Sequence, residues 1–242
     1  MRLDKFLAHT GYGTRKEVKV LLKKKCILVN GAIITKGDTI LKLDTDTVTV
    51  NDEVVHYQKF VYLMLNKPGG YLSATEDNHQ QTVIDLLDAD SQRFSPFPVG
   101  RLDKDTEGLL LLTNDGDLAH FLLSPKKQVH KTYYAKVVGV MDEADVKAFN
   151  EGVILEDGYE CLPANLEILS TAEDSSDVHI TISEGKFHQV KRMVLACGKE
   201  VSFLKRLTMG SLKLDENLKL GEYRPLTDQE LNGLKEFLPQ NS

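Results

Sequence analysis

Gly100-Arg-Leu-Asp-Lys-Asp-Thr-Glu-Gly-Leu-Leu-Leu-Leu-Thr-Asn-Asp-Gly116 sets three carboxylates, Asp103, Asp105 and Glu107, directly before an unbroken apolar run. Leu109 to Leu112 lie between Gly108 and the turn-forming Asn114-Asp115-Gly116. Such a run reads as a buried strand bounded by turns, and it pins the acidic loop to the core. A carboxylate held there by a rigid scaffold is a candidate catalyst, whereas a solvated acidic loop would have the same composition and no chemistry.

Working outward, Phe60-Val-Tyr-Leu-Met-Leu65 reads as a strand of the same core, ended by the turn residues Asn66-Lys-Pro-Gly-Gly70. Thr82 is placed to cap a short helix over Val83-Ile-Asp-Leu-Leu87, and a helix over Asp117 to Ser124 stops at Pro125. Lys131 to Val138, Cys161 to Leu169 and Asp177 to Ser183 read as strands, and Asp142 to Asn150 as a helix. A helix over Phe187 to Cys197 ends at Gly198, and Thr227-Asp-Gln-Glu230 forms a capping box opening a last helix to about Leu238. Strands outnumber helices without alternating regularly, which predicts a mixed α+β fold and not a doubly wound one.

The 242 residues can hold two modest domains, and 41% hydrophobic with 27% charged residues is ordinary for a globular chain. No apolar stretch approaches a membrane span, and Met1-Arg-Leu-Asp-Lys-Phe6 lacks the apolar region of a secretory signal. Cys26, Cys161 and Cys197 are scattered and form no Cys-x-x-Cys pair, so the reading is a cytoplasmic protein without a disulfide framework or thiolate metal site. The net charge of −6 hides an asymmetry: residues 1–36 carry +7 and the remainder −13. A positive field concentrated in one small unit is the footprint of a nucleic-acid-binding module.

Within that unit Leu3, Phe6 and Leu7 have helical spacing up to Gly11. Thr14 and Glu17 form a capping box before a second helix, with Val18, Leu21 and Leu22 on one face and Lys16, Lys19 and Lys23 on another. Ile27-Leu-Val-Asn-Gly-Ala-Ile-Ile34 reads as a hairpin with a type I′ turn at Asn30-Gly31, followed by a strand over Thr47 to Val50. His56-Tyr-Gln-Lys59 is a connector, giving domains 1–57 and 58–242. The order helix, basic helix, hairpin, with Arg2-Leu-Asp-Lys5 at the start and Val29-Asn-Gly31 after the basic helix, resembles the S4 RNA-binding domain. That resemblance implies phosphate contacts from Arg2, Arg15, Lys16 and Lys19.

Several chemistries fail on the acidic loop. Asp103-Lys-Asp105-Thr-Glu107-Gly108 imitates the start of a calcium loop, but its twelfth position is Asn114 and Leu109 to Leu112 are too apolar to wrap an ion. The chain has no His-Glu-x-x-His zinc pair, no phosphate-binding Gly-rich loop ending in Lys-Ser/Thr, and no Gly-x-Ser-x-Gly nucleophile setting. Gly100-Arg-Leu-Asp103 with Thr106, Gly108-Leu-Leu110 and Thr113-Asn-Asp-Gly116 resembles the pseudouridine synthase signature. Asn66-Lys-Pro-Gly69, Lys131-Thr-Tyr133, Glu184-Gly-Lys-Phe-His-Gln-Val-Lys-Arg-Met193 and Gly221-Glu-Tyr-Arg-Pro-Leu-Thr227 extend the likeness across the second domain.

With the S4-like start, these motifs resemble the RsuA branch, which modifies a uridine of small-subunit (16S) ribosomal RNA; paralogues acting on large-subunit RNA are built similarly. The resemblance implies a mixed, mainly antiparallel catalytic sheet flanked by helices. It also implies a cytoplasmic, monomeric isomerase acting on ribosomal RNA or a pre-ribosomal particle with neither cofactor nor metal. Uracil would be detached from C1′ through N1, rotated and rejoined through C5. Asp103 would be the catalytic carboxylate, as nucleophile or as base toward a sugar proton. Tyr133 would stack on the uracil, and Arg101 would hold the RNA stack open around the extruded nucleotide. Two readings compete: a non-catalytic RNA-binding assembly factor that kept the fold, and a metal-dependent hydrolase using Asp103, Asp105 and Glu107.

The basic partner of Asp103 is either Lys191 or Arg192. At about 100° per residue, Phe187, Val190 and Val194 form an apolar stripe with Lys191 on its margin and Arg192 turned toward the polar side. Lys191 is therefore expected to be the desolvated partner of Asp103, and Arg192 to reach RNA phosphate.

Overall fold

Apolar spacing and helix caps build the N-terminal elements. The computed structural model describes residues 1–236. Helices α1 (Leu3–His9) and α2 (Arg15–Lys23) precede strands β1 (Ile27–Val29), β2 (Ala32–Ile33), β3 (Val48–Val50) and β4 (Glu53–Val55). Leu3, Phe6 and Leu7 of α1 pack with Val18 and Leu22 of α2 and with Ile27, Val48 and Val50 of the strands. The capping box of α2 is formed, with the Glu17 N–H donating to the Thr14 hydroxyl and the Thr14 N–H donating to Glu17 Oε2 at 2.6 Å. Asn30 and Gly31 have φ of +52° and +81°, as a type I′ turn requires. The sheet runs β2-β1-β3-β4, antiparallel throughout.

The chain divides into two compact units, residues 1–61 with 87–96, and residues 62–86 with 97 onward. The first is discontinuous, since the short helix α3 (Ala89–Gln92) belongs to it and the Arg93 guanidinium lies over the Tyr12 ring. Nothing in the sequence of that returning segment marks it as part of the basic unit.

The second unit contains β5 (Tyr62–Lys67), β6 (Phe97–Pro98), β7 (Glu107–Thr113), α4 (Gly116–Leu123), β8 (Lys131–Val138), α5 (Glu143–Glu151), β9 (Asn165–Thr171), β10 (Ser175–Ile182), α6 (Gln189–Ala196), β11 (Glu200–Met209), β12 (Leu212–Lys213), β13 (Tyr223–Pro225) and α7 (Asp228–Lys235). Its sheet runs β13-β5-β7-β11-β8-β10-β9, with β6 on β7 and β12 on β11. Every pairing is antiparallel except β7 with β11. The run Leu109 to Leu112 lies in β7, buried on both faces, which is why it is continuous and not alternating. Leu109 and Leu111 pack against Leu118 and Leu122 of α4, Met64 of β5 and Leu234 of α7.

One strand was not expected from the sequence, and two local expectations are corrected. The ten-residue strand β11 sits at the centre of the sheet but shows no usable period, because bulges between Val201 and Phe203 and between Arg206 and Thr208 break its alternation twice. Helix α6 begins at Gln189, because His188 is left-handed with φ +49°; Phe187 precedes the helix and is 75% exposed, so the buried stripe is Val190, Met193 and Val194. Val83–Leu86 forms a single 3₁₀ turn, with Asp85 accepting the Thr82 N–H at 2.7 Å in place of a Thr82 cap. The Thr227 capping box opens α7 as expected, and its expected end at Leu238 lies outside the described residues.

Candidate active site

The acidic loop is anchored at alternate residues. Lys67, at the end of β5, is fully buried, and its ammonium donates to the carbonyls of Pro68 (3.0 Å), Lys104 (3.1 Å) and Thr106 (2.8 Å). The Ser73 hydroxyl donates to the Leu102 carbonyl at 2.9 Å and accepts the Leu102 N–H at 3.1 Å. The Gly70 N–H also donates to the Lys104 carbonyl. Asp103 therefore stands between two fixed residues. Burial pulls the Lys67 ammonium down to about 8 against the opposing carboxylates Asp105, Glu107 and Asp103. This is the physical work of the Asn66-Lys-Pro-Gly69 segment, whose first residue is held by its N–H donating to the carbonyl of Glu222, the residue before β13.

From α6, the Lys191 ammonium lies 3.1 Å from Asp103 Oδ2 and donates to Asp105 Oδ1 and Oδ2 at 2.7 and 2.9 Å. Burial lowers the Lys191 pKa, but its hydrogen bonds to Asp105 and Asp103 outweigh that and leave it raised. Asp105, hydrogen-bonded by the same ammonium, is lowered. His188 Nε2 stands 3.6 Å from Asp103 Oδ1, its ring stacked on Phe187 at 3.7 Å between centroids.

Arg192 points elsewhere, Nε to Glu156 at 2.7 Å and Nη2 to Asp157 at 2.6 Å. The Lys191 and Arg192 side chains are 24% and 17% exposed, so surface exposure alone does not separate them, while burial is the largest influence on the Lys191 ammonium and a lesser one on the Arg192 guanidinium. What separates the two is the partner each one faces.

Asp103 lines a cleft of about 130 Å³ together with Arg101, Thr106, Lys131, Tyr133 and Arg206. Tyr133 is 8% exposed on β8, paired in register with Ile180 of β10 and Arg206 of β11. Arg101 is exposed. Burial, reinforced by the Arg206 charge, pulls Lys131 down to about 8. The sequence reading assigned no role to Lys131, Thr106, His188 or Arg206. His188 was hidden inside an expected helix and Arg206 inside the strand that shows no period.

In the other unit, Arg15, Lys16 and Lys19 are exposed on α2, while Arg2 makes a bidentate pair with the buried Asp4, whose carboxyl that hydrogen bond lowers. Among the described residues no group of three or more His, Cys, Asp or Glu is placed to hold a metal ion.

The family model for RNA pseudouridylate synthase matches residues 61–196, and the S4 domain model matches residues 1–48. The chain belongs to the RNA pseudouridylate synthase family. It is 52% identical to the RNA pseudouridine synthase YtzG of Bacillus subtilis (strain 168), over 98% of this chain and 99% of that one. Ribosomal small subunit pseudouridine synthase A of Haemophilus influenzae is 38% identical, covering 97% and 99%. Ribosomal large subunit pseudouridine synthase B of Bacillus subtilis is also 38% identical, covering 97% and 95%. A crystal structure of a pseudouridylate synthase aligns with TM-score 0.67 at 37% identity, over 97% of this chain and 99% of that one. The enzyme is thus an RNA pseudouridine synthase with an S4 domain, and no helix among its described residues is long and apolar enough to cross a membrane.

Proposed function

We propose that this enzyme converts one uridine of small-subunit ribosomal RNA to pseudouridine, acting as a single chain in the cytoplasm on the RNA or a pre-ribosomal particle. The observation that carries the reading is a half-buried carboxylate, Asp103, held against the Lys191 ammonium in a cleft also lined by Tyr133. The N1–C1′ bond breaks, C1′–C5 forms, C5 gives up its proton and N1 gains one. Asp103 serves as nucleophile at C1′ or as base toward the sugar, and either route needs a carboxylate fixed to within a fraction of an ångström. Lys191 holds that carboxylate, Tyr133 covers the uracil face and Arg101 fills the space left in the RNA stack.

Residues 1–57 supply RNA affinity through Arg2, Arg15, Lys16 and Lys19, and residues 58–242 the chemistry. Arg192, tied to Glu156 and Asp157, has less to offer a phosphate. A large-subunit target is the second reading, since a relative of that name is as similar as the small-subunit one. Mapping pseudouridines in both ribosomal RNAs from cells with and without the protein decides: loss of one small-subunit site is expected, loss of a large-subunit site selects the alternative, and no change refutes both.

A further inference from the structure

Arg206 and Thr106 line the cleft, and each carries a buried polar atom, the Arg206 Nη2 and the Thr106 hydroxyl oxygen, that has no hydrogen-bond partner. The residues are 2% and 1% exposed. A buried donor left unpaired costs free energy, so such groups call for a ligand that satisfies them. Arg206 is not free to turn away. Its Nε–H donates to the Leu109 carbonyl at 2.8 Å, and its backbone is so close to Gly108 that a Cβ there would stand 2.9 Å from the Arg206 nitrogen.

We propose that Arg206 reads the extruded base, its unpaired guanidinium N–H donating to a ring carbonyl of uracil; this rests on the uridine-isomerising reading above. Uracil presents a symmetric edge, O4, N3–H, O2. The reaction exchanges N1 for C5 at the sugar, which a half-turn about the N3–C6 axis accomplishes, and that turn also exchanges O4 with O2. A donor fixed at O4 before the turn therefore meets O2 after it, so one immobile guanidinium holds the detached base on both sides of the rotation. Cytosine carries an amino group in place of O4, and the donor then faces a donor, which rejects that base. The Thr106 hydroxyl, able to accept as well as donate, suits the adjacent N3–H.

The test is single-turnover pseudouridylation of a ribosomal RNA fragment carrying uridine, 4-thiouridine or 2-thiouridine at the mapped target, sulfur being the weaker acceptor. Wild type is expected to slow roughly tenfold on each thio substrate. Arg206→Met is expected to slow roughly 10- to 100-fold on uridine and to lose the thio penalty. Thr106→Val, whose hydroxyl makes no internal bond, should fold normally and slow several-fold on uridine. Arg206→Met turning over as fast as wild type, or keeping the full thio penalty, overturns the proposal. If Arg206→Met fails to fold, wild type indifferent to both thio substrates overturns it, and wild type slowed by both supports it. A wild type that forms no pseudouridine in any ribosomal RNA refutes the functional reading itself, a separate outcome.

Discussion

Asp103 sits between Leu102, whose N–H and carbonyl both bond to Ser73, and Lys104, whose carbonyl is held by Lys67 and Gly70. Asp103→Asn changes charge without volume in a loop fixed by its neighbours. Turnover should vanish, with RNA affinity retained and the melting temperature within about 2–4 °C of wild type. Lys191→Met removes the ammonium shared by Asp103 and Asp105 and should cost roughly 10- to 100-fold in single-turnover rate at saturating RNA. Arg192→Met, breaking pairs with the exposed Glu156 and Asp157, should leave that rate unchanged and move the melting temperature little. The opposite order of effects would show that the wrong cation was chosen.

Lys67 and Lys131 are both held near 8, below the ordinary 10.5. Above pH 8 the folded protein has released these protons while the unfolded chain still binds them, so stability rises with pH. From about pH 9 the Cys161 thiol, pushed up to about 11, and the Tyr159 phenol, pushed up to about 12, act in the reverse sense. Denaturant titrations should therefore show stability rising between pH 8 and 9, with a smaller slope in Lys131→Met; a flat profile in wild type would contradict the assignment.

At the scale of elements, β11 decides the site, because it carries Arg206 beside Tyr133 of β8 and closes the sheet between β7 and β8. Its parallel pairing with β7 depends on Gly108, at φ +99° and facing the Arg206 backbone. Gly108→Ala combines a left-handed backbone with a steric clash and should destabilise by about 2–5 kcal/mol, read in chemical denaturation. A change below about 1 kcal/mol would mean that the two strands can part without penalty. The capping boxes at Thr14 and Thr227 and the Asn30-Gly31 turn were legible, because their chemistry is local. β11 was not legible, because a bulged central strand takes its conformation from its partners.

At the scale of the molecule, charge is segregated: the basic first 36 residues accompany a remainder of net charge −13. The triple change of Arg15, Lys16 and Lys19 to Gln should weaken RNA binding and flatten the salt dependence by about 0.7–0.9 in log–log slope for each phosphate no longer neutralised, with the rate at saturating RNA unchanged. An unaltered salt slope would remove these side chains from the interface. The division of the chain matters to any truncation: residues 87–96 belong with the first unit, so a cut at residue 57 leaves that segment without its partners.

The sequence by itself determined what local rules and motifs can carry: the two-part organisation, the acidic loop against a buried strand, the helices with caps, and the reaction class through its signature residues. The sequence also singled out Lys191 over Arg192 as the cation facing Asp103. Only the tertiary structure decided that Lys191 is shared with Asp105, 86 residues away, and that Arg192 is tied to Glu156, 36 residues away. It also decided the roles of Lys67 and Arg206, whose bonds run to the Thr106 and Leu109 carbonyls across 39 and 97 residues of chain. A hydrogen bond closed over that distance is a property of the packed sheet, and no window of sequence contains it.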